Sequence, residues 1–557
     1  MKRGSIWLVL GALVASISLL ATTAAVAGTS QTPRRGGTVV FGADQEPGTL
    51  NVFVVGGDHL WASNAHYPTM AGTYIVTPKG TYRNDIVSKV KFTRRPFSVT
   101  YTIKKNARWS DGRQITANDY LFTYQTIMNK SWNIISTIGY EDIGRAQVVN
   151  SKTFKVTFKK VYAGWRDMFS EILPRHALQG EDFNNVWRNN INNPKTNRPI
   201  ASGPFKLDSW NRGTNMTFSR NEQYTLGPKA LLARIIFRFV PDTNTQVQQI
   251  RGGELDILNP QPQPSFTALR NVAGLRTQIS RGPSWEKVDF NFRGPNHAQP
   301  GKADPLVQKL FFRRAIAHGM NRSAIVRTVF GRILPGLTLP VLNSGIIMST
   351  SAFYKAHWAQ YAYNPTRARQ ILQQNGCTRG GDGIYTCGGQ RASIRWTGTT
   401  GNQRREFTFE IAQSQLKNVG IELKSDFAPP ATAFGPKKIS GDYDLFDYAW
   451  TSGSPDISGW DSIYGCRTAT EAQQNDQGYC NRTVDRLFKQ GNAELDQKKQ
   501  AALINRALAQ IAKDMVILPL YQLPGMVIHR TSMRGVLENP FSIGPFWTAR
   551  QWWKAAG

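Results

Sequence analysis

The sequence predicts an α/β protein of two or three domains, and three observations carry that reading. At 557 residues the chain exceeds what one hydrophobic core serves. Residues 198–258 crowd strand, turn and helix signals together. A Gly203-Pro204 turn leads into a strand at 205–207, a polar turn covers 210–213, and a second strand covers 216–219. A buried strand at 235–240 and a short helix follow, and Gly252-Gly253 ends the helix ahead of Leu255, Asp256 and Ile257. The third observation is a second α/β unit. Phe409, Ala412, Leu416 and Val419 form a helical face, Gly420 stops it, and 421–423 turns extended.

The first 27 residues predict a cleaved signal peptide. Lys2 and Arg3 precede an apolar run at 6–20, and Ala25-Val26-Ala27 is an A-x-A site before Gly28. Residues 28–35 read as a flexible mature start. No cysteine lies near the site, so no lipid-attachment thiol is expected. The mature protein is expected outside the cytoplasm, in a periplasm or at the exterior of the cell envelope. A strand at 38–41 follows Gly36-Gly37, and Glu46 to Asn51 reads as a turn at a strand end, where α/β sheets meet ligands.

From about 60 to 195 the pattern is a strand-rich insert, with alternation at 99–103 and 154–158. Thr116 and Asp119 resemble a capping box ahead of Tyr120, Tyr124 and Ile127, which fall on one helical face. Asn and Pro concentrate at 184–199, a boundary loop. Later, 288–292 alternates as a strand, 293–304 is a Gly- and Pro-rich loop, and 306–319 reads as a helix. Asn321 caps a helix with Ile325, Val326 and Val329 on its apolar face. Residues 443–450 read as a strand, and 451–456 as its terminal turn. Leu503, Ala507, Leu508 and Ile511 make a helical face, and 516–521 reads as an extended crossing back.

Four cysteines in two close pairs predict local disulfides, Cys377 with Cys387 and Cys466 with Cys480, as suits an exported chain. Zinc is the competing reading, but neither pair has C-x-x-C spacing and no histidine completes a site. A net charge of +31 admits a polyanion binder or an anionic envelope surface as partner. The bases are scattered and no nucleic-acid module is present, so no nucleic-acid partner is expected. Fifteen tryptophans suit either a large core or a ring-lined cleft.

Enzyme signatures are absent from the sequence: no G-x-S-x-G, H-E-x-x-H, Walker loop or G-x-G-x-x-G occurs. His59 and His66 form the closest histidine pair, read as packing ahead of metal binding. Acids gather at Asp442, Asp444, Asp447, Asp456 and Asp461. A glycan hydrolase needs two of them facing one cleft, but Asp442 and Asp444 share a strand face opposite Asp447.

The ordered phrases of the chain carry a resemblance. They are GGTVVFGADQEPGTLN at 36–51, VTYTIKKNARWSDGRQITANDYLFTYQ at 99–125, IASGPFKLDSW at 200–210 and IIFRFVPDTNTQVQQIRGGELDI at 235–257. FFRRAIAHGMNRSAIVRTVFG, YNPTRARQILQQNG, AQSQLKNVGIEL, YDLFDYAW and LPLYQ follow. In that order they resemble the bacterial extracellular solute-binding proteins of family five, the oligopeptide/dipeptide-binding type that feeds ABC importers.

The resemblance implies a two-lobed periplasmic-binding fold, type II with an extra subdomain. Its lobes are joined by two crossings, with a ligand cleft between them. It puts lobe 1 at 36–60, 196–287 and 520–557, its subdomain at 61–195, and lobe 2 at 288–519. It implies a monomer without cofactor that binds a peptide or other small solute by lobe closure and delivers it to membrane permease subunits. The expected ligand-facing residues are Glu46, Asn51, Gly203, Trp285, Asn291, Trp450, Thr451, Gly453, Asp456 and Trp460. For the tryptophans core packing competes with ligand contact, and for Gly203 a turn requirement does. Gly453 stands where peptide binders of this type carry the Asp that pairs with the ligand's α-amino group; Asp456 either substitutes for it or caps a turn. The departure admits a saccharide, glycolipid headgroup or metal chelate as alternative ligand.

Overall fold

The computed structural model describes residues 32–331, 339–466 and 474–555. The expected signal peptide at 1–27 and its cleavage site lie outside the described residues. The folded body begins at Arg34.

Within it, the elements that position the site run in this order. After β1 (Thr38–Ala43) come α1 (Leu60–His66), β2 (Val87–Arg94), β3 (Phe97–Ile103), α2 (Ala117–Ile127), β4 (Ile143–Asn150) and β5 (Thr153–Phe158). Then come β6 (Phe205–Asn211), β7 (Asn215–Arg220), β8 (Arg234–Phe239), α3 (Thr243–Gly252), β9 (Ile257–Leu258) and β10 (Leu275–Phe290). The remainder is β11 (Ser393–Thr397), α4 (Gln403–Val419), β12 (Glu422–Ser425), β13 (Leu445–Thr451), α5 (Gln497–Lys513) and β14 (Ile517–Arg530).

One ten-stranded mixed sheet takes the order β6-β7-β8-β1-β9-β14-β10-β13-β11-β12. β1 lies parallel to β8 and β9, and β11 parallel to β12 and β13. These two parallel halves are bridged by an antiparallel pair, β10 and β14, whose register runs from Leu275↔Arg530 to Asp289↔Ile517. The pair is the structural form of the two crossings. Side chains alternate along it: Met526 and Ile528 enter one apolar core and Val527 the other. One core is built on α4, α5 and the strands around Trp396, Phe290 and Ile517. The other joins Phe41, Phe237 and Trp61 to the insert's Tyr101, Tyr120 and Phe154. The insert carries its own antiparallel sheet, β2-β3-β5-β4.

Local rules explain most boundaries. The Asp119 carboxylate accepts from the Thr116 N–H at 2.7 Å and from Arg175 N–H at 3.0 Å, which fixes the start of α2. Asp242 caps α3, and Gly253, at φ 83°, ends it in the left-handed conformation. The helix expected at 306–319 begins only at Leu310. Trp210 belongs to β6 rather than to the turn after it. The larger departure is β10, which starts thirteen residues before the predicted strand at 288. Pro283 falls in a register shift between Arg281 and Ser284, so the missing N–H of proline is absorbed by a bulge. Both disulfides are present, Cys377–Cys387 and Cys466–Cys480.

At the crossing sits a buried ionic cluster. Glu286 on β10 accepts from Arg405 Nε and from Arg404 Nη2, both at 2.7 Å, and all three side chains are sealed from solvent. Arg404 also reaches the Tyr521 hydroxyl at 3.1 Å and Gln261 at 2.7 Å. Asp447, on the neighbouring β13, shares the site. Burial, then the Glu286 charge, hold its carboxyl well above the usual range. Burial also pushes Glu286 up, but the charges of Arg404 and Arg405 outweigh it and leave its carboxyl below the usual range.

Two substitutions separate these roles. Glu286→Gln is expected to lower unfolding stability at pH 7 by about 3–5 kcal/mol, because it strands two buried guanidinium groups. Asp447→Asn removes a carboxyl whose charged form burial and Glu286 already disfavour, and is expected to cost about 1 kcal/mol or less. Urea unfolding checks both. The Glu286 contribution is present above the ordinary glutamate pKa and is lost as pH falls through the lowered folded value.

Candidate ligand-binding cavity

A cavity of about 700 Å³ opens between the two halves, within the size range of ligand pockets. One wall is contributed by α1 and the segments around it, by the insert and by the C-terminal segment near Ser542 and Trp547. The other is contributed by the end of β13 and the loop after it, with Phe434 and Lys438.

The walls touch directly. Lys438 Nζ donates to Asp58 at 3.0 Å and pairs with Asp476 at 3.1 Å, and Gln474 Nε2 also donates to Asp58, at 3.3 Å. Burial opposes charge at Asp58, yet the Lys438 ammonium outweighs it and holds the carboxyl below its usual range. Ser454 Oγ donates to Asp167 at 2.5 Å, and Tyr82 donates to the other Asp167 oxygen at 2.7 Å. Ser542 N–H donates to the Ser452 carbonyl at 3.0 Å, and the Ser462 and Ser136 hydroxyls lie 3.3 Å apart.

Charge inside the cavity is distributed unevenly. Asp167 is open to the cavity, but the surrounding walls and then the Asp456 charge raise its carboxyl to about 6. Desolvation likewise lifts Asp85 to about 6. His59, packed edge-on against Phe434 at 5.7 Å, accepts from the Trp61 N–H. Burial lowers its pKa to about 4, so it is neutral. His66 is flanked by the Glu171 carboxylate at 2.8 Å and by the Leu50 carbonyl at 2.6 Å. Rings and cations interleave on the opposite wall. Lys287 Nζ lies 3.2 Å from the centroid of Tyr448, and Lys438 Nζ lies 5.6 Å from Tyr448 and 5.2 Å from Trp450.

Of the ten residues expected to face ligand, Gly203, Trp450, Thr451, Gly453, Asp456 and Trp460 line this cavity. The other four serve the frame. Glu46 accepts from Trp210 Nε1 at 2.8 Å and from the Gly213 N–H, pinning the turn after β6. Asn51 is buried and donates to the Phe183 and Val186 carbonyls. Trp285 is sealed, its ring centroid 6.3 Å from that of Trp460. Asn291 donates to the Gly441 and Tyr443 carbonyls. Glu46, Asn51 and Asn291 are polar and follow strands, as ligand contacts do, but their side chains bond the frame, while Trp285 is packed inside β10.

Gly203 has a steric reason as well: a Cβ there would fall 2.5 Å from the Pro68 carbonyl oxygen. Asp456 caps a turn, accepting from the Ser458 N–H at 2.6 Å, while also facing the cavity. Of the clustered acids, Asp442 and Asp444 bind Arg395, and Asp461 accepts from Asn492. Asp58, Tyr82, Asp85, Asp167, Arg405 and Lys438 line the cavity without a sequence signal, since segments far apart in the chain deliver them. Among the described residues no cluster of three metal-ligating side chains occurs, and no helix is long and apolar enough to cross a membrane.

A family model described as bacterial extracellular solute-binding proteins, family 5, middle, matches residues 95–470. The oligopeptide-binding protein OppA of Mycobacterium tuberculosis is 26% identical over 89% of this chain and 82% of its own. Among solved structures, the oligopeptide-binding protein AppA of Bacillus subtilis, in complex with a nonapeptide, superposes with a TM-score of 0.83 at 21% identity, covering 94% of this chain and 100% of that one. The periplasmic EDTA-binding protein EppA gives 0.80 at 20% identity, covering 95% and 98%.

Lys438→Met removes the cation shared by Asp58 and Asp476. It is expected to cost about 3–5 kcal/mol of thermal stability and to enlarge the radius of gyration in small-angle scattering, as the walls separate. Lys438→Arg is expected to keep most of both.

Proposed function

Because this chain belongs to the bacterial extracellular solute-binding proteins of family 5, we propose that it is the extracytoplasmic binding component of an ABC importer for short peptides. The observation that carries this reading is the cavity itself: it is walled by two halves that meet through the β10–β14 pair and through polar contacts across the gap. A ligand that touches both walls stabilises the closed form. We take lobe 1 as 36–60, 196–287 and 520–557, its subdomain as 61–195, and lobe 2 as 288–519. The chain acts as an exported monomer whose partner is a membrane permease. It performs no bond chemistry.

Peptide binding is supported by the relatives and by the wall chemistry. Asp456 and Asp167 face the cavity from opposite walls, with Tyr82 and Ser454 beside them, and offer negative charge to a ligand ammonium. Trp450, Thr451, Gly453 and Trp460 flank this end, and Gly203 lies across from them. The cavity volume suits a peptide of a few residues rather than a long chain.

Gly453 favours a second reading, a non-peptide solute, since no carboxylate is present at that position. It also provides a test. A Cβ at 453 would meet its nearest neighbour, Ser542 Oγ, at 3.4 Å, an ordinary contact. Gly453→Asp is therefore expected to fold, and to tighten binding of peptides with a free α-amino group about tenfold while leaving N-acetylated peptides unchanged.

For the parent protein, a mixture of two- to five-residue peptides should raise the melting temperature, corresponding to about 2.7 kcal/mol at a hundredfold excess over Kd. No shift with peptides but a shift with saccharides or metal chelates would replace the peptide by those ligands.

A further inference from the structure

The outer face of the insert's sheet has a composition unlike the rest of the surface. Strands β2, β3, β5 and β4 contain no Asp or Glu, yet they carry Lys89, Lys91, Arg145 and Lys155 on this face and Arg94 on the other, at the end of β2. Lys89, Lys91, Arg94 and Arg145 are exposed and Lys155 is half-buried. The register aligns Lys91 with Thr100, Thr100 with Lys155 and Lys155 with Gln147, in a row across all four strands. Lys89, Thr102 and Thr153 form a second row, and Thr93, Ser98, Thr157 and Arg145 a third. The opposite face is committed to the core through Val99, Tyr101, Phe154 and Val156. Among the described residues none of the five cations pairs with a carboxylate.

Lysine on edge strands is an ordinary guard against edge-to-edge pairing. That accounts for β2 and β4, which are the edges. It does not account for Lys155, which sits on the interior strand β5, nor for a row of hydroxyl and amide donors between the cations. Strands about 4.8 Å apart place Lys91 and Lys155 roughly 10 Å from each other, with Thr100 between them. The result is an array of cations and hydrogen-bond donors spread across four strands, with no acid in those strands.

We infer that this face docks the protein on an anionic phospholipid surface, with Lys89, Lys91, Arg145 and Lys155 meeting lipid phosphates and the threonines donating between them. Charge complementarity carries the assignment, and the spread of the cations over three strands, rather than along one line, matches a surface of many phosphates better than a single linear chain. Docking through the insert would hold the binding protein at the membrane without any apolar span.

The test is co-sedimentation with phosphatidylglycerol/phosphatidylcholine vesicles, using the chain from Gly28, which keeps the whole body and leaves out the apolar leader. Binding at low salt that weakens as salt rises is expected. Lys89→Gln, Lys91→Gln and Lys155→Gln together should weaken it about a hundredfold, at about fivefold per cation. The charge-matched control Lys417→Gln, Lys498→Gln and Lys499→Gln, at exposed sites in the other half, should change it less than fivefold. If the triple variant fails to fold, Lys155→Gln alone is read, with a fivefold loss expected. Equal losses in the two triple variants, an unchanged Lys155→Gln, or no binding to anionic vesicles at low salt overturns the inference.

Discussion

Glu286 places a full negative charge in the middle of a sheet, on the strand that passes from one half of the molecule to the other. Bulk water does not reach it, so its charge exists only because Arg404 and Arg405 surround it. Those arginines occupy the first turn of α4, where the helix dipole disfavours cations. Each side thus holds the other in an otherwise unfavourable position, and the consequence is geometric. The start of α4, the strand β10 and Tyr521 on β14 are locked to one point. A buried cluster of this kind adds little net stability over apolar packing, but it fixes register and direction.

From that point the cavity follows. β10 and β14 hold the register through two bulges, one at Pro283 and one between Glu286 and Lys287. Past the second bulge, Lys287 faces Tyr448 on β13, and Tyr448 in turn supports Lys438 and Trp450 in the cavity wall. Arg405, one end of the buried cluster, lines the same cavity. The wall is therefore rigid where it joins the crossing strands. Farther out the two halves meet through a set of polar contacts, among them Lys438–Asp58, Gln474–Asp58 and Ser454–Asp167. The carboxyls there are perturbed in opposite directions, Asp58 lowered, against its burial, chiefly by Lys438 and Asp167 raised by burial.

Much of the frame was legible in the sequence because short-range rules govern it. Residues 198–258 show their strands, cap and left-handed glycine through alternation, Asp242 and Gly253. The Thr116/Asp119 box gives α2 its start. β10 was legible only in its last residues. Its middle reads RGPSWEKVD, with a proline, a glycine and several charges, the pattern of a surface turn. Only tertiary partners — two arginines 118 and 119 residues away — make a buried strand of it. The site was legible on one wall, where a strand end and its turn carry Trp450 to Asp456. The other wall is assembled from short, separate segments whose residues, such as Asp58, Tyr82 and Asp167, obey no common periodicity. Polar groups at strand ends misled in the opposite direction: Asn51 and Asn291 look like ligand contacts and instead satisfy backbone carbonyls.

If a small peptide is held between the two halves and released unchanged, native mass spectrometry of the protein purified from its own culture will show it. The expected result is a one-to-one complex whose added mass, on dissociation, is that of intact peptides a few residues long. A complex with saccharide, lipid or chelate masses, or peptides recovered only as cleavage products after incubation, would be incompatible with peptide capture by closure.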